Sequence, residues 1–554
     1  MPTELRTPIL IVGGGTGGVA AALAVARRGG SCIVTEPTDW IGGQLTAQAV
    51  PPDENRWVEG DPGVVGVTAS YQSFRQSVRQ WYRDHRPLTD EARDNPRLNP
   101  GNGWVSRLCC EPRVAHQILQ DMLAPHVASG AIAILLHHEP VSADVARDRV
   151  RALTFVNAET GERVTIGAEY FLDATDAGEL YPLARVEYAA GAEGQSEHGE
   201  LHALPRADPL DLQAISWCFA LEHRPGEDHT IDKPARYDFW RDYVPPLIDR
   251  PWPGKLFSWT VPGHDEVAAR TFKFFPPPQV PPADELDMWR YRRINDASLY
   301  REEARGQFPD VSLINWVQLD YFLRPIVDLA PEQQRAALED AREQSRSLLY
   351  WLQTEAPRWD GSDGVGYPGL KLSGDELGTS DGFAKAPYIR EGRRLKARTV
   401  VTEAHVGTEQ RRRDKRPMQH VKPWGMAEPF ADSVGIGHYR LDLHPSTGMR
   451  NSLYVQAAPF RIPMGALIPI RVRNVLAAGK GLGVTHITNG CYRLHPVEWN
   501  VGESAGALAQ HCLAQNRAPH AIQGNLERMR EFQRALVQDG IPLAWEWENG
   551  AGLG

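Results

Sequence analysis

Pro8 to Glu36 reads PILIVGGGTGGVAAALAVARRGGSCIVTE. The apolar run Ile9 to Val12 has the pattern of a buried parallel strand. Gly13, Gly15 and Gly18 follow as G-x-G-x-x-G, with Thr16 and Gly17 between them. A small-residue helix is expected from Val19 to Arg28, stopped by Gly29-Gly30. A second apolar run, Cys32 to Val34, ends at the carboxylate of Glu36. Each part has a mechanical role. Gly13 permits the tight turn, Gly15 lets the backbone approach a pyrophosphate, and Gly18 lets helix and strand pack closely. The helix N-terminus offers free N–H groups and a positive dipole end to that pyrophosphate. Glu36 is placed to accept hydrogen bonds from ribose hydroxyls. Strand, glycine loop, helix and strand-end acid together make the context that confirms such a motif.

Working outward, the next loop runs Pro37-Thr38-Asp39-Trp40-Ile41-Gly42-Gly43-Gln44-Leu45. Its Gly42-Gly43 pair suits close passage of a ligand, because the loop leaves the same edge as the phosphate loop. Beyond it, 51–106 is polar and irregular apart from an amphipathic helix near Ser73 to Arg83. A helix is expected over Glu111 to Ser129, with Val114, Ile118, Met122 and Val127 on one face. Strands are expected at Ala131–Leu136, Val141–Ala146, Val150–Val156 and Val164–Ile166, the last three as a meander. A separate strand from Tyr170 ends in the turn Asp173-Ala174-Thr175-Asp176.

From about 186 to 425 the character changes. Prolines cluster at Pro276-Pro277-Pro278 and Pro281-Pro282, aromatics are frequent, and Glu332 to Thr354 reads as a long helix. An inserted lobe there makes the nucleotide domain discontinuous. It resumes at Asn474-Val475-Leu476-Ala477-Ala478-Gly479-Lys480, and a small-residue helix over Val501-Gly502 to Ala509 brings another helix N-terminus to the ligand. The expected organisation is 1–185 and 426–515 for the nucleotide domain, 186–425 for the insertion, and 516–554 for a helical tail. The fold class is α/β: a Rossmann-like parallel sheet plus β-meander, with an inserted mixed α+β substrate lobe.

The 554-residue length calls for more than one lobe. A formal charge of -10 gives no case for nucleic acid, and no apolar run has the length of a membrane span. Six scattered cysteines form neither a disulfide framework nor a metal motif, which fits a reducing cytoplasm. An oligomer is compatible with all of this. There is no second dinucleotide fold, since Gly435-Ile436-Gly437 lacks a preceding strand, a third glycine and a following helix.

The chain resembles the FAD-dependent oxidoreductases of the glutathione-reductase structural class, more narrowly the family with a single nucleotide domain. The residues that carry this are the opening βαβ unit, Trp40 to Leu45, the Leu172 to Asp176 turn, Asn315-Trp316, Pro387 to Arg394, Ile462-Pro463 through Pro469, Asn474 to Lys480, His486, Arg493 and the Gly502 to Ala509 helix. The resemblance is strong over roughly the first 190 residues and over about 380 to 515. It implies FAD, with the ADP half on the first βαβ unit and the flavin ring near 42–45 and 479–506. Two departures stand out: Asp176, where related proteins often have glycine, and the stretch His495 to Asn500.

The chemistry expected is hydride transfer from a small organic metabolite to the flavin, with a side-chain base removing a proton. The first candidate base is His486, then His495; Tyr492 is a lesser candidate, and His444 lies in a nearby segment. Arg390, Arg393, Arg394, Arg461 and Arg493 would bind an acidic substrate, or steady a reduced flavin, if several converge. The alternative is a single-component flavin monooxygenase or halogenase using external NAD(P)H. Trp545-Glu546-Trp547 resembles a halogenase tryptophan motif, although the Ile-Pro that should follow is absent.

Overall fold

In the computed structural model, residues 3–60, 65–263, 269–275, 287–359, 362–416 and 426–549 are described. The proline cluster at 276–282 lies outside them. Strand β1 (Thr3–Val12), helix α1 (Thr16–Arg27) and strand β2 (Cys32–Glu36) form the opening βαβ unit. Ile9 to Val12 are fully buried, which is why this run reads as continuously apolar. Helices α2 (Ala69–His85) and α3 (Pro112–Ala128) follow, and then strands β3 (Ile132–Leu136), β4 (His138–Ala146), β5 (Arg149–Asn157) and β6 (Arg163–Asp173).

The sheet order is β3-β2-β1-β6-β5-β4. The first four strands are parallel and the β4-β5-β6 meander is antiparallel. Where the sequence suggested two short strands, Val164–Ile166 and one starting at Tyr170, there is a single eleven-residue strand. The reason is that β1 pairs with it from Val164 to Asp173 on one edge, while the partner changes along the other. The first half of β6 pairs with β5, and Phe171 to Asp173 pair with a strand that returns much later in the chain.

The second lobe holds an antiparallel sheet of β7 (Phe219–His223), β8 (Arg293–Asn295), β9 (Val311–Ile314) and β10 (Leu370–Leu372), in the order β8-β9-β7-β10. Helix α4 (Pro331–Thr354) packs on it. This lobe has its own core, built on Trp240, Trp252, Trp259, Trp289, Trp316 and Trp351. Leu395, Ala397, Val401 and Val406 belong to the first core, so the chain has returned there before residue 426. Gly435-Ile436-Gly437 is part of the strand Ser433–Gly437, paired antiparallel with Phe460–Pro463.

The returning strand is β11 (Val475–Ala477), which leads to helices α5 (His486–Tyr492) and α6 (His495–Gln515). Helix α6 starts earlier than its small-residue segment suggested. Pro496 occupies the first turn, where its missing N–H costs nothing. It lies against α1 at backbone distance: a Cβ on Gly502 would sit 2.0 Å from Gly17 O, and one on Gly506 2.3 Å from Ala21 O. The tail helix Leu526–Gln538 closes the first core with Met529, Phe532 and Leu536. No helix among the described residues is long and apolar enough to cross a membrane.

Candidate active site

The turn after β1 is set by Gly13, whose φ of +97° favours glycine; a Cβ there would also lie 2.5 Å from Ala174 O. Gly18 touches Gly13 O in the same way, and Gly17 touches Ala478 O. Gly15 differs. A Cβ on Gly15 would meet nothing nearer than 3.5 Å, so its bare backbone leaves room instead of relieving a clash. It is also the N-cap of α1, which has no side-chain cap. Uncapped N–H groups and open space at a helix N-terminus are what a pyrophosphate requires.

Glu36 closes β2 beside this turn. Its Oε2 accepts from Gly14 N–H (3.0 Å), and its Oε1 accepts from the N–H (3.0 Å) and hydroxyl (2.8 Å) of Thr38. Burial pushes the carboxyl up to about 7. Pro37, the next residue, is exposed, while Gly42, Gly43, Gln44 and Leu45 are buried against the first turn of α1, where Thr16 Oγ1 donates to Gly42 O (2.9 Å). Ala174 is buried, and Thr175 folds back to donate twice to Asp173 Oδ1.

Beyond the glycine turn a polar cluster gathers side chains from four segments. Lys480, next to Gly479, pairs with Asp176 Oδ1 (2.5 Å) and donates to Ile389 O (2.7 Å). Burial would depress this ammonium, but Asp176 and Glu498 outweigh it and raise the pKa. Gln48 Nε2 donates to Asp176 Oδ2 (2.6 Å), and Gln44 Nε2 to Glu498 and to Arg493 O. Burial, against the pull of Lys480, lifts Glu498 to about 7. Gln44 Oε1, Gln48 Oε1, Arg493 Nε and His495 Nε2 are buried with no partner. Unsatisfied buried polar atoms are costly, so such a concentration marks a place that a ligand completes.

The pattern of the FAD dependent oxidoreductase family matches residues 8–536. The chain belongs to this family. FAD is its cofactor, and the residues fit it: Gly15 and the start of α1 suit the pyrophosphate, Glu36 the adenosine ribose, and the orphaned amides and donors a polar ring system. Val501 and Gly502 lie inside α6, not at its N-terminus; Gly17 and Gly502 serve the helix contact. The helix end that faces the site carries His495 and Glu498 instead. No curated protein matches the chain. Structures similar to parts of it include L-proline dehydrogenase from P. horikoshii, at TM-score 0.18 and 11% identity over 36% of this chain and 26% of that one. The flavin-dependent monooxygenase PieE gives 0.22 and 15%, over 40% and 36%. The myxobacterial chondrochloren halogenase CndH gives 0.22 and 13%, over 41% and 45%. The chain thus spans less than half of each, and likeness at this level bears on neither substrate nor reaction.

The candidate bases fall in different settings. His486 is buried at the start of α5. Arg450 Nη2, which can only donate, lies 2.9 Å from its Nε2, so Nε2 accepts and Nδ1–H donates to Glu391 (2.8 Å). Its lone pair faces Arg450 and its N–H faces Glu391. His495 Nδ1 likewise accepts from Asp53 N–H (3.1 Å), which leaves Nε2–H as a donor. Burial holds His495 well below its ordinary pKa, helped by Arg292, Lys480 and Arg493, so it stays neutral. Tyr492 donates to Arg461 O (2.9 Å) and stacks on Phe460, as a packing residue. Trp545 stacks on Trp547, packs edge-on against Trp57 and donates to Phe460 O.

His444 is the exception. Its Nδ1–H donates to the buried Asp320 (2.7 Å), and the side chain is 22% exposed. The five arginines do not converge on one empty spot. Arg390 pairs with Asp320, Arg393 with Asp328, Arg394 with Glu193 and Glu391, Arg461 with Glu548, and Arg493 with Asp442. Sequence reasoning missed Asp53, Arg292, Asp320, Tyr388 and Tyr439, which border the same cluster. No local pattern distinguishes them, since each acts through partners far away in the chain.

Proposed function

We propose that this chain is an FAD-dependent dehydrogenase or oxidase that takes a hydride and a proton from a small organic metabolite. FAD, when bound, supplies the two-electron acceptor that side chains lack. The observation that carries the reading is the Asp320–His444 pair. The hydrogen bond to Asp320 fixes the Nδ1–H tautomer and leaves the Nε2 lone pair free. Nε2 stands 3.9 Å from Asp442 Oδ2, too far for a hydrogen bond but near enough to steady an imidazolium. Asp320 also pairs with Arg390 (3.0 Å) and accepts from Ser216 (3.1 Å). Burial would raise its carboxyl, but Arg390 and His444 bring it below the ordinary range, so it stays ionised and orients the ring.

His444 then takes the proton from an O–H, N–H or activated C–H of the substrate. His495 Nε2–H, neutral and unpartnered, donates a hydrogen bond to an acceptor on the bound ligand. Substrate alone, added without oxygen, should bleach the flavin, and air should restore the colour. His444→Gln should slow that bleaching by roughly 10²–10⁴-fold. Bleaching only by NAD(P)H, coupled to oxygen insertion or halogenation of an added substrate, would overturn the reading in favour of a monooxygenase or halogenase.

A further inference from the structure

Every arginine the sequence singled out already has a carboxylate, yet one that it did not single out has none within hydrogen-bond distance. Arg292 stands on the second lobe, between the short helix Met288–Tyr291 and β8. It is 8% exposed, and its Nε and Nη1 are buried with no partner. Nη2 comes no nearer than 3.6 Å to Asp53 Oδ2, beyond a hydrogen bond. The guanidinium lies over the Tyr291 ring at 5.0 Å. A guanidinium does not escape burial by losing its proton, and against that burial Asp53 and the neighbouring tyrosines favour the charged form, so the charge is present while two of its N–H groups stay unpaired.

Three tyrosines stand around Arg292: Tyr291, Tyr388 and Tyr439. Tyr291 and Tyr439 are only half-buried, yet their depth among protein atoms raises both hydroxyls above the ordinary tyrosine range. Tyr388 OH accepts from Arg493 Nη1 (2.7 Å), and Arg493 also holds Asp442. Asp53 ties Arg292 to His495 through its backbone N–H. The unpartnered buried atoms of Arg292, Nε and Nη1, are both donors. A group that only accepts, carries negative charge and is planar answers such a set best.

We propose that Arg292 anchors the carboxylate of the substrate, so that the site takes a small organic acid whose body lies against Tyr291 and Tyr439. Calling this ligand a substrate rests on the dehydrogenase reading; its binding does not.

The probe is benzoate, which has an aromatic body and nothing to oxidise, against its neutral counterpart benzamide. Both are titrated into the holoenzyme by calorimetry and by flavin difference absorbance. Benzoate should bind and shift the flavin spectrum, with benzamide at least about tenfold weaker. Arg292→Gln should weaken benzoate by at least about tenfold and Arg292→Lys by less. FAD content should hold in both variants, and the thermal midpoint in Arg292→Lys, which keeps the charge facing Asp53. Equal binding of benzamide, unchanged benzoate affinity in Arg292→Gln, or no benzoate binding to the wild type would each overturn the proposal. Arginine-dependent benzoate binding without substrate bleaching of the flavin would support the acid site while removing the dehydrogenase reading. Bleaching by neutral substrates with no benzoate binding would do the reverse.

Discussion

At the seam between α1 and α6 the chain meets itself backbone to backbone. Gly17, Gly502 and Gly506 leave no room for a side chain, and a Cβ at any of them would strike a carbonyl oxygen at 2.0–2.3 Å. The core of the second lobe is made the opposite way, from large rings: Trp259 meets Phe274, Trp316 and Trp351 at centroid distances of 5.3 to 6.3 Å. The seam positions the cofactor's phosphate turn, which must be rigid to within a fraction of an ångström. The aromatic core only has to hold a lobe in place above it. Contact through bare backbone is exact in geometry and has no slack, whereas contact through rings can be redistributed among neighbours.

The largest test of that contrast is Gly502→Val. Its Cβ would clash with a backbone oxygen that cannot rotate away, so the loss should exceed about 4–5 kcal/mol and abolish FAD retention. Denaturant unfolding and the flavin-to-protein absorbance ratio check it; a folded, yellow variant would break the comparison. Next is Glu498→Gln, at the site end of α6. Glu498 has its folded pKa raised to about 7. The native state therefore favours the protonated form, and its contribution to the stability of the flavin-free protein is full below about pH 4.5 and lost as pH rises through about 7. Gln cannot ionise, so the variant should gain on the wild type by roughly 2–3 kcal/mol between about pH 5 and about pH 8. Urea unfolding of the flavin-free protein at the two pH values measures this difference. The smallest effect belongs to the lobe core. Trp259→Phe gives up the hydrogen bond from Nε1 to Pro357 O (2.8 Å) and some volume, and should cost about 1–2 kcal/mol with FAD content unchanged.

The same contrast governs what the sequence showed. The opening βαβ unit was legible because its strand, turn and helix are all dictated by residues within thirty positions of one another. β6 was split in two because Gly167-Ala168-Glu169 interrupts its apolar pattern, whereas parallel pairing with β1 from Val164 to Asp173 carries the strand through. The start of α6 was written in Pro496, but that proline reads equally well as a break. His486 and His495 looked like bases because a histidine's hydrogen-bond partners are invisible in sequence. Arg450, 36 positions before His486, and Asp53, 442 positions before His495, use up their lone pairs.

By itself the sequence determined the dinucleotide turn, the parallel sheet around it and the presence of a second, aromatic lobe, because periodicity and glycine placement are local properties of the chain. Tertiary structure alone decided which charges are spent. It paired five conspicuous arginines with carboxylates, left two N–H groups of Arg292 unpaired, and gave His444 the buried aspartate that frees its second nitrogen. Electrostatic partnership depends on distance in space, and at these positions the chain separates partners by as many as several hundred residues.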